Sequence, residues 1–176
     1  WPEEGIDRDN IQYAETLNKK NSDITRIMFT GNVGEAQSFT TLIEAAKILK
    51  NFKKIEWIII GDGRYKNELI KLIIANDLEN EFILMNPVPI NSIMSYFNHA
   101  DALYLSLKNN STYKKTIPGK LQTYMSSGKP IIASISGESK DIVTSSMAGF
   151  VSDAEDVTGL VNNVINFINL SDKQKY

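Results

Sequence analysis

The sequence predicts a doubly wound α/β domain, a parallel sheet with helices on both faces. Short apolar runs alternate with amphipathic stretches along most of the chain, which is the pattern of successive βα units. The apolar runs stop at glycine-bearing turns such as Gly31 and Gly61-Asp62-Gly63, where a strand gives way to a loop. The length of 176 residues is enough to bury one sizeable core and sets the expectation of a single domain.

The elements follow in order. Ile27-Met28-Phe29 is the first strand, and 38–49 is the first helix, with Phe39, Leu42, Ile43, Ala46 and Ile48 at helical spacing. The run 55–60 is the second strand, followed by a helix over 65–75. Phe82 to Met85 makes a third strand, 90–97 a third helix and 102–105 a fourth strand. The stretch 108–117 is a polar loop, long enough to be functional rather than a mere connection. A helix over 120–126, a strand at 131–134, a helix at 140–145, a short strand at 149–151 and a closing helix over 154–170 complete the pattern.

Composition narrows the partners. A formal net charge of −2 gives no reason to expect nucleic acid as a partner. The chain has no cysteine, which excludes disulfides and thiolate metal sites. No apolar run approaches membrane-spanning length, and the charged start Trp1-Pro2-Glu3-Glu4 does not read as a signal peptide. The chain does not begin with methionine and reads as a piece of something longer.

In a doubly wound sheet the ligand lies at the carboxyl edge of the strands, where strand order reverses. The loops at 31–34, 85–88, 108–117 and 136–138 all fall on that edge. Gly31-Asn32-Val33-Gly34 lets backbone approach a ligand closely, although an ordinary βα turn would look the same. No Gly-x-Gly-x-x-Gly follows a strand, so a dinucleotide site is not indicated. The most informative segment is Pro118-Gly119-Lys120-Leu121, a helix start rigidified by proline and carrying a lysine. A helix N-terminus offers free N–H groups and the positive end of the macrodipole, so a cation there is unfavourable unless an anion sits beside it. This is a pyrophosphate site in outline, with Lys120 as its cation.

The segment from Pro118-Gly119-Lys120-Leu121 through Tyr124-Met125 to Gly128-Lys129-Pro130 resembles a motif of bacterial group-1 (family 4-like) glycosyltransferases of the GT-B fold. The likeness is to those that build capsule and O-antigen polysaccharides. Phe29-Thr30-Gly31-Asn32-Val33-Gly34, Gly61-Asp62-Gly63, Ala100-Asp101-Ala102 and Ala148-Gly149-Phe150 resemble further motifs of the family, in the family's order. The ordered set, rather than any single motif, carries the resemblance. It implies the Rossmann-like C-terminal half of a GT-B fold, which binds a nucleotide-diphosphate sugar as donor. It further implies transfer with retention to a polysaccharide or lipid-linked glycan acceptor.

The expected division is a linker over 1–24 from a missing N-terminal acceptor domain, a nucleotide-sugar-binding domain over 25–171, and a tail over 172–176. Such a piece is expected to fold as a monomer, without transferase activity of its own. The full protein is expected in the cytoplasm, at most at the inner face of the membrane. Lys120 is assigned the catalytic charge role. The substrate-binding set is Gly31, Asn32, Val33, Gly34, Gly61, Arg64, Met85, Pro87, Val88, Lys115, Pro118, Gly119, Leu121, Thr123 and Glu138.

Two departures from the family pattern stand out. Where many relatives carry an arginine and a lysine after the glycine loop, this chain has Glu35, Ala36, Gln37 and Ser38. Where many carry a pair of glutamates near the donor sugar and the ribose, it has Lys115 and Thr123. Thr123 can still hydrogen-bond a ribose, and Lys115 would face a diphosphate or a carboxylate-bearing sugar. Glu138 and Asp141 read either as ligand-facing groups or as acids that favour a helix start. Arg64 either flanks a base or decorates a helix start. His99 reads as a helix-terminal residue away from the ligand edge. With no metal-spaced cluster of His, Asp or Glu among the ligand-edge motifs, neither a metal nor any other cofactor is expected. An epimerase and a non-catalytic nucleotide-binding domain remain as other readings of the same motifs.

Overall fold

The computed structural model describes residues 12–13, 17, 23–52 and 54–170. Its strands are β1 (Gln12–Tyr13), β2 (Thr25–Thr30), β3 (Ile55–Ile60), β4 (Phe82–Met85), β5 (Ala102–Ser106), β6 (Ile131–Ser134) and β7 (Gly149–Ser152). They form one sheet in the order β1-β4-β3-β2-β5-β6-β7, with every recorded pairing parallel. The helices are α1 (Phe39–Leu49), α2 (Lys66–Ala75), α3 (Ile93–Phe97), α4 (Ser111–Lys114), α5 (Gly119–Ser126), α6 (Glu138–Ser145) and α7 (Val157–Asn169).

All six residues of β2 are buried, as expected of a parallel strand covered on both faces. Successive side chains go to opposite faces and build two cores. Ile27, Phe29, Trp57 and Ile59 point toward α1, α2 and α7. Met28, Ile58, Leu103 and Leu105 point toward α3, α5 and α6. Trp57 anchors the first core, with Phe82 at 6.4 Å and Tyr104 at 6.2 Å between ring centroids. At the amino edge, Asp101 accepts the Arg26 backbone N–H at 2.7 Å, and the Arg26 guanidinium bonds Glu56 at 2.7 Å. The Ala-Asp-Ala motif therefore ties the start of β5 to β2.

The strand boundaries match the sequence reading to within a residue or two, and the differences have local causes. The expected loop at 108–117 contains α4, because the Asn110 side chain accepts the Tyr113 N–H at 2.9 Å and caps a turn. The closing helix starts at Val157 rather than 154, since Asp156 caps it through the Gly159 N–H at 2.9 Å. The third helix divides into a 3₁₀ turn at Ile90–Ser92 and α3. Within 1–24, expected to be a linker, Gln12–Tyr13 form β1 on the edge of the sheet beside β4. A pair of residues is too short to leave a hydrophobic period in the sequence. The rest of 1–24 apart from residues 17, 23 and 24, and the tail over 172–176, lie outside the described residues.

The feature that positions the site lies between β2 and β5. β2 pairs with β3 along its full length but with β5 only at Ile27↔Ala102 and Met28↔Leu103. Beyond Met28 the two strands part. There the Thr30 backbone N–H donates to the Tyr124 phenol of α5 at 2.9 Å, with the Thr30 hydroxyl at 3.3 Å from the same oxygen. Tyr124 is fully buried against Phe97, and that burial pushes its hydroxyl up to about 12, so it stays neutral. Replacing Tyr124 with Phe leaves the Thr30 N–H buried without its acceptor, which costs about 1–3 kcal/mol. Urea unfolding of Tyr124→Phe should show that loss with unchanged far-ultraviolet circular dichroism, and an unchanged midpoint would rule out the tether.

Candidate functional site

The carboxyl edge is built from two glycine loops stacked backbone on backbone. The Gly31 N–H donates to Ile60 O at 2.9 Å, the Val33 N–H to Asp62 O at 2.7 Å, and the Tyr65 N–H to Val33 O at 3.1 Å. The approach is so close that a Cβ on Gly61 would lie 1.9 Å from the Gly31 carbonyl oxygen. Gly31 itself has φ of +115°, where a side chain would strain the backbone. Together with the β4–α3 loop these loops enclose a cleft of about 310 Å³, lined by Thr30, Gly31, Asn32, Gly61, Pro87 and Val88. Ile90 and Ile93 extend it with an apolar wall.

Beside Gly31 stands the amine of Lys120. Pro118 supplies the extended N-cap of α5, and Lys120 follows in the first turn. The helix runs down from the crevice between β2 and β5, so the lysine side chain is drawn inward over the end of β2. Its Nζ lies 3.8 Å from the Phe29 ring centroid and would be 3.7 Å from a Cβ on Gly31. That nitrogen is buried and has no hydrogen-bond partner among the described residues. Burial moves its proton affinity down to about 7, and no neighbouring charge offsets the shift. A cation–π contact recovers only part of what an ammonium loses on leaving water.

Other cations of the edge are placed differently. Lys108, just after β5, pairs with Glu35 at 2.5 Å, which lowers the Glu35 carboxyl and raises the Lys108 amine. The position where the family pattern calls for a cation is thus an exposed ion pair, whose contribution to stability is small. Lys115 is exposed on the α4–α5 loop, and Glu138 is exposed on the first turn of α6. The preceding Gly137 is pressed against Lys114, since a Cβ there would lie 2.1 Å from the Lys114 carbonyl oxygen.

Of the residues singled out from sequence, Gly31, Asn32, Gly61, Pro87 and Val88 line the cleft and Lys120 adjoins it. Gly34 and Arg64 border a neighbouring depression of about 420 Å³, together with Asn32, Glu35 and Tyr65. The side chains of Val33, Met85 and Leu121 are buried in the two cores, so these residues present only backbone at the edge. Pro118 and Gly119 open α5, and Thr123 sits half-buried one turn on. His99 is exposed at the end of α3, away from this edge. Sequence reading missed Phe29, Thr30 and Tyr124 as parts of the lysine's setting, because strand and helix residues meet there across long separations. It also missed the wall residues Ile90 and Ile93; an apolar pair after Pro87-Val88-Pro89 was the available signal. Among the described residues no group of three or more His, Asp or Glu side chains is arranged to hold a metal ion. Nor is any helix there long and apolar enough to cross a membrane.

A doubly wound sheet with a glycine-built cleft and a buried lysine amine at its switch point defines an α/β domain suited to an anionic ligand. The model of the family described as "Glycosyl transferases group 1" matches residues 13–176, and the chain belongs to that family. A 2-deoxystreptamine N-acetyl-D-glucosaminyltransferase of Niallia circulans is 24% identical over 156 residues. That match covers 88% of this chain but only 38% of the relative's length. Among solved structures, the C-terminal domain of a group 1 glycosyltransferase, LpcC of Francisella tularensis, superposes with a TM-score of 0.68 at 19% identity. It covers 86% of this chain and 78% of that domain. HepE of Anabaena, in complex with UDP-glucose, superposes with a TM-score of 0.69 at 19% identity, over 87% of this chain and 41% of its own. These structures share the fold.

The lysine's setting has a stability consequence. Its amine is neutral in the fold above about pH 7 but remains charged in the unfolded chain up to about pH 10.5. The unfolded chain therefore holds the extra proton in that window, and stability falls as pH drops through it, by up to about 1.4 kcal/mol per pH unit. Lys120→Met keeps the apolar stem and removes the amine. Urea denaturation of the ligand-free chain should show the variant to be more stable, by a margin that widens from about pH 10 down to pH 7 and then levels off. A variant less stable than the parent at neutral pH would contradict the burial without a partner.

Proposed function

We propose that this chain is the donor-binding domain of a glycosyltransferase that moves a sugar from a nucleotide-diphosphate sugar to a glycan. The observation that carries the reading is the buried, unpartnered Lys120 amine beside Gly31, at the start of α5. A desolvated cation with no counterion is costly, and it is kept where an anion completes it. A diphosphate placed there would receive the lysine, the N-terminal N–H groups of α5 and the backbone of the Gly31 loop. The UDP-glucose held by HepE and the activity named for the Niallia relative support a sugar nucleotide as that anion. The apolar wall of Val88, Ile90 and Ile93 suits the base.

In this reading the chemistry is departure of a nucleoside diphosphate from the anomeric carbon, through a transition state with oxocarbenium character. Negative charge grows on the leaving diphosphate, and Lys120 with the helix dipole stabilises it where it grows. The proposal extends to retention of configuration and to an acceptor on a polysaccharide or lipid-linked glycan, as in capsule, O-antigen or exopolysaccharide synthesis. The acceptor would be held by an N-terminal domain of the full-length protein, working in the cytoplasm or against the inner face of the membrane.

Calorimetric titration of the chain with UDP, GDP and dTDP, and with the corresponding nucleosides, tests the reading. One diphosphate should bind, and excess chelator should leave its affinity unchanged, since no metal-holding cluster is present among the described residues. Lys120→Met should weaken that diphosphate by about ten- to a hundredfold, the worth of one charge-assisted contact, and leave the nucleoside unaffected. Equal weakening of both, or binding of no diphosphate, would remove the basis of the proposal.

A further inference from the structure

We propose that binding of a sugar nucleotide at this cleft is coupled to uptake of one proton by Lys120, so that donor affinity rises as pH falls toward neutrality. The inference rests on the proposed donor site and adds the charge state in which that site waits. An amine that is buried, has no hydrogen-bond partner among the described residues and lies over the Phe29 ring face beside Gly31 has little to hold a proton in the empty protein.

Among the described residues the surrounding elements supply no hidden counter-charge. On α5 itself Lys120 is the sole charged residue, and the Tyr124 hydroxyl one turn on is neutral and engaged with Thr30. The end of β2 and the loop after it carry Phe29, Thr30, Gly31 and Asn32, none of them charged. On the loop after β3, Asp62 is exposed, takes the Gly63 N–H at 2.9 Å and has Lys66 Nζ at 3.9 Å, and the exposed Arg64 is a cation, not a counter-charge. The loop after β5 presents Lys108, already paired with Glu35, and the exposed Lys114 and Lys115. On α6, Glu138 and Asp141 are exposed. Burial alone sets the amine's proton affinity, at about 7.

A diphosphate reverses that balance. Its oxygens bring fixed negative charge and hydrogen-bond acceptors to an amine that lacks both, which favours the ammonium. The bound state then holds a proton that the empty state lacks at any pH between the two proton affinities. Linkage makes affinity fall by up to tenfold per pH unit as pH rises above about 7, and leaves it flat below. The proton comes from solvent and sits on Nζ; no bond of the donor is broken in this step.

The test uses UDP-glucose, GDP-mannose and dTDP-glucose, whose diphosphates are esterified at both ends and do not titrate near neutrality. Calorimetry in two buffers of different ionisation enthalpy counts the protons. Uptake of about one proton per bound ligand is expected at about pH 8.5 and close to none near pH 6. Binding seen near pH 6 but lost at the higher pH has the same sense. Carbon NMR of ε-labelled lysine, with Lys120 identified by its absence in Lys120→Met, should show the amine titrating near neutrality in the empty protein. In the complex it should stay charged well above that. A ligand that binds with no proton uptake at the higher pH overturns the inference while leaving the donor site in place. So does uptake that persists in Lys120→Met, or a Lys120 amine already charged at about pH 8.5 in the empty chain. Failure of all three sugar nucleotides to bind at either pH would overturn the donor site itself.

Discussion

Beyond Met28, β2 keeps β3 as a neighbour and loses β5, and the rest of the functional edge is arranged around that gap. Right-handed βα crossovers send the chain one way from β2 and then back the other way to β5, so consecutive loops leave the sheet on opposite sides. The parted strand ends would expose unpaired backbone. α5 fills the gap with two side chains one turn apart, Tyr124 satisfying the Thr30 N–H and Lys120 lying over Phe29. A single short helix thus satisfies the Thr30 N–H that β5 leaves unpaired and places the Lys120 amine beside the glycine-built cleft.

The two kinds of cation on this edge show how such a site is set apart from a charged surface. Lys108 and Glu35 neutralise each other in the open, where water screens the pair and its removal would matter little. Lys120 is buried and has no hydrogen-bond partner among the described residues, so a charge on its amine is destabilising in the empty fold. In the proposed reading, stability is given up locally in exchange for binding free energy, as is common where function needs a strained or unsatisfied group. The stacked glycine loops serve the same end. With Gly61 packed on the Gly31 carbonyl, no side chain screens the cleft floor, and backbone can approach a ligand directly.

Much of this was legible in the sequence. Buried parallel strands are rich in apolar runs, so β2 to β6 stood out, and glycine turns such as those at Gly31 and Gly61 marked the ligand edge. Pro118-Gly119-Lys120 announced a helix start carrying a cation, because proline and first-turn charge act through local geometry alone. The GT-B resemblance, carried by motifs from Phe29 to Phe150, agrees with the family match. Less was legible where a contact joins distant residues. The expected substrate set mixed Gly31 and Val88, which line the cleft, with Met85 and Leu121, whose side chains turn into the core.

By itself, then, the sequence determined the βα alternation, the carboxyl-edge loops and the lysine at the start of α5, all consequences of local period and local turn chemistry. The tertiary structure decided that Lys120 has no hydrogen-bond partner among the described residues while Lys108 has one, that Tyr124 closes the sheet at Thr30, and that Gln12–Tyr13 extend it beside β4. Burial and pairing depend on which residues meet across the fold, with separations such as the 94 residues between Thr30 and Tyr124. No local pattern encodes such a meeting, because desolvation of a charge is a property of everything packed around it.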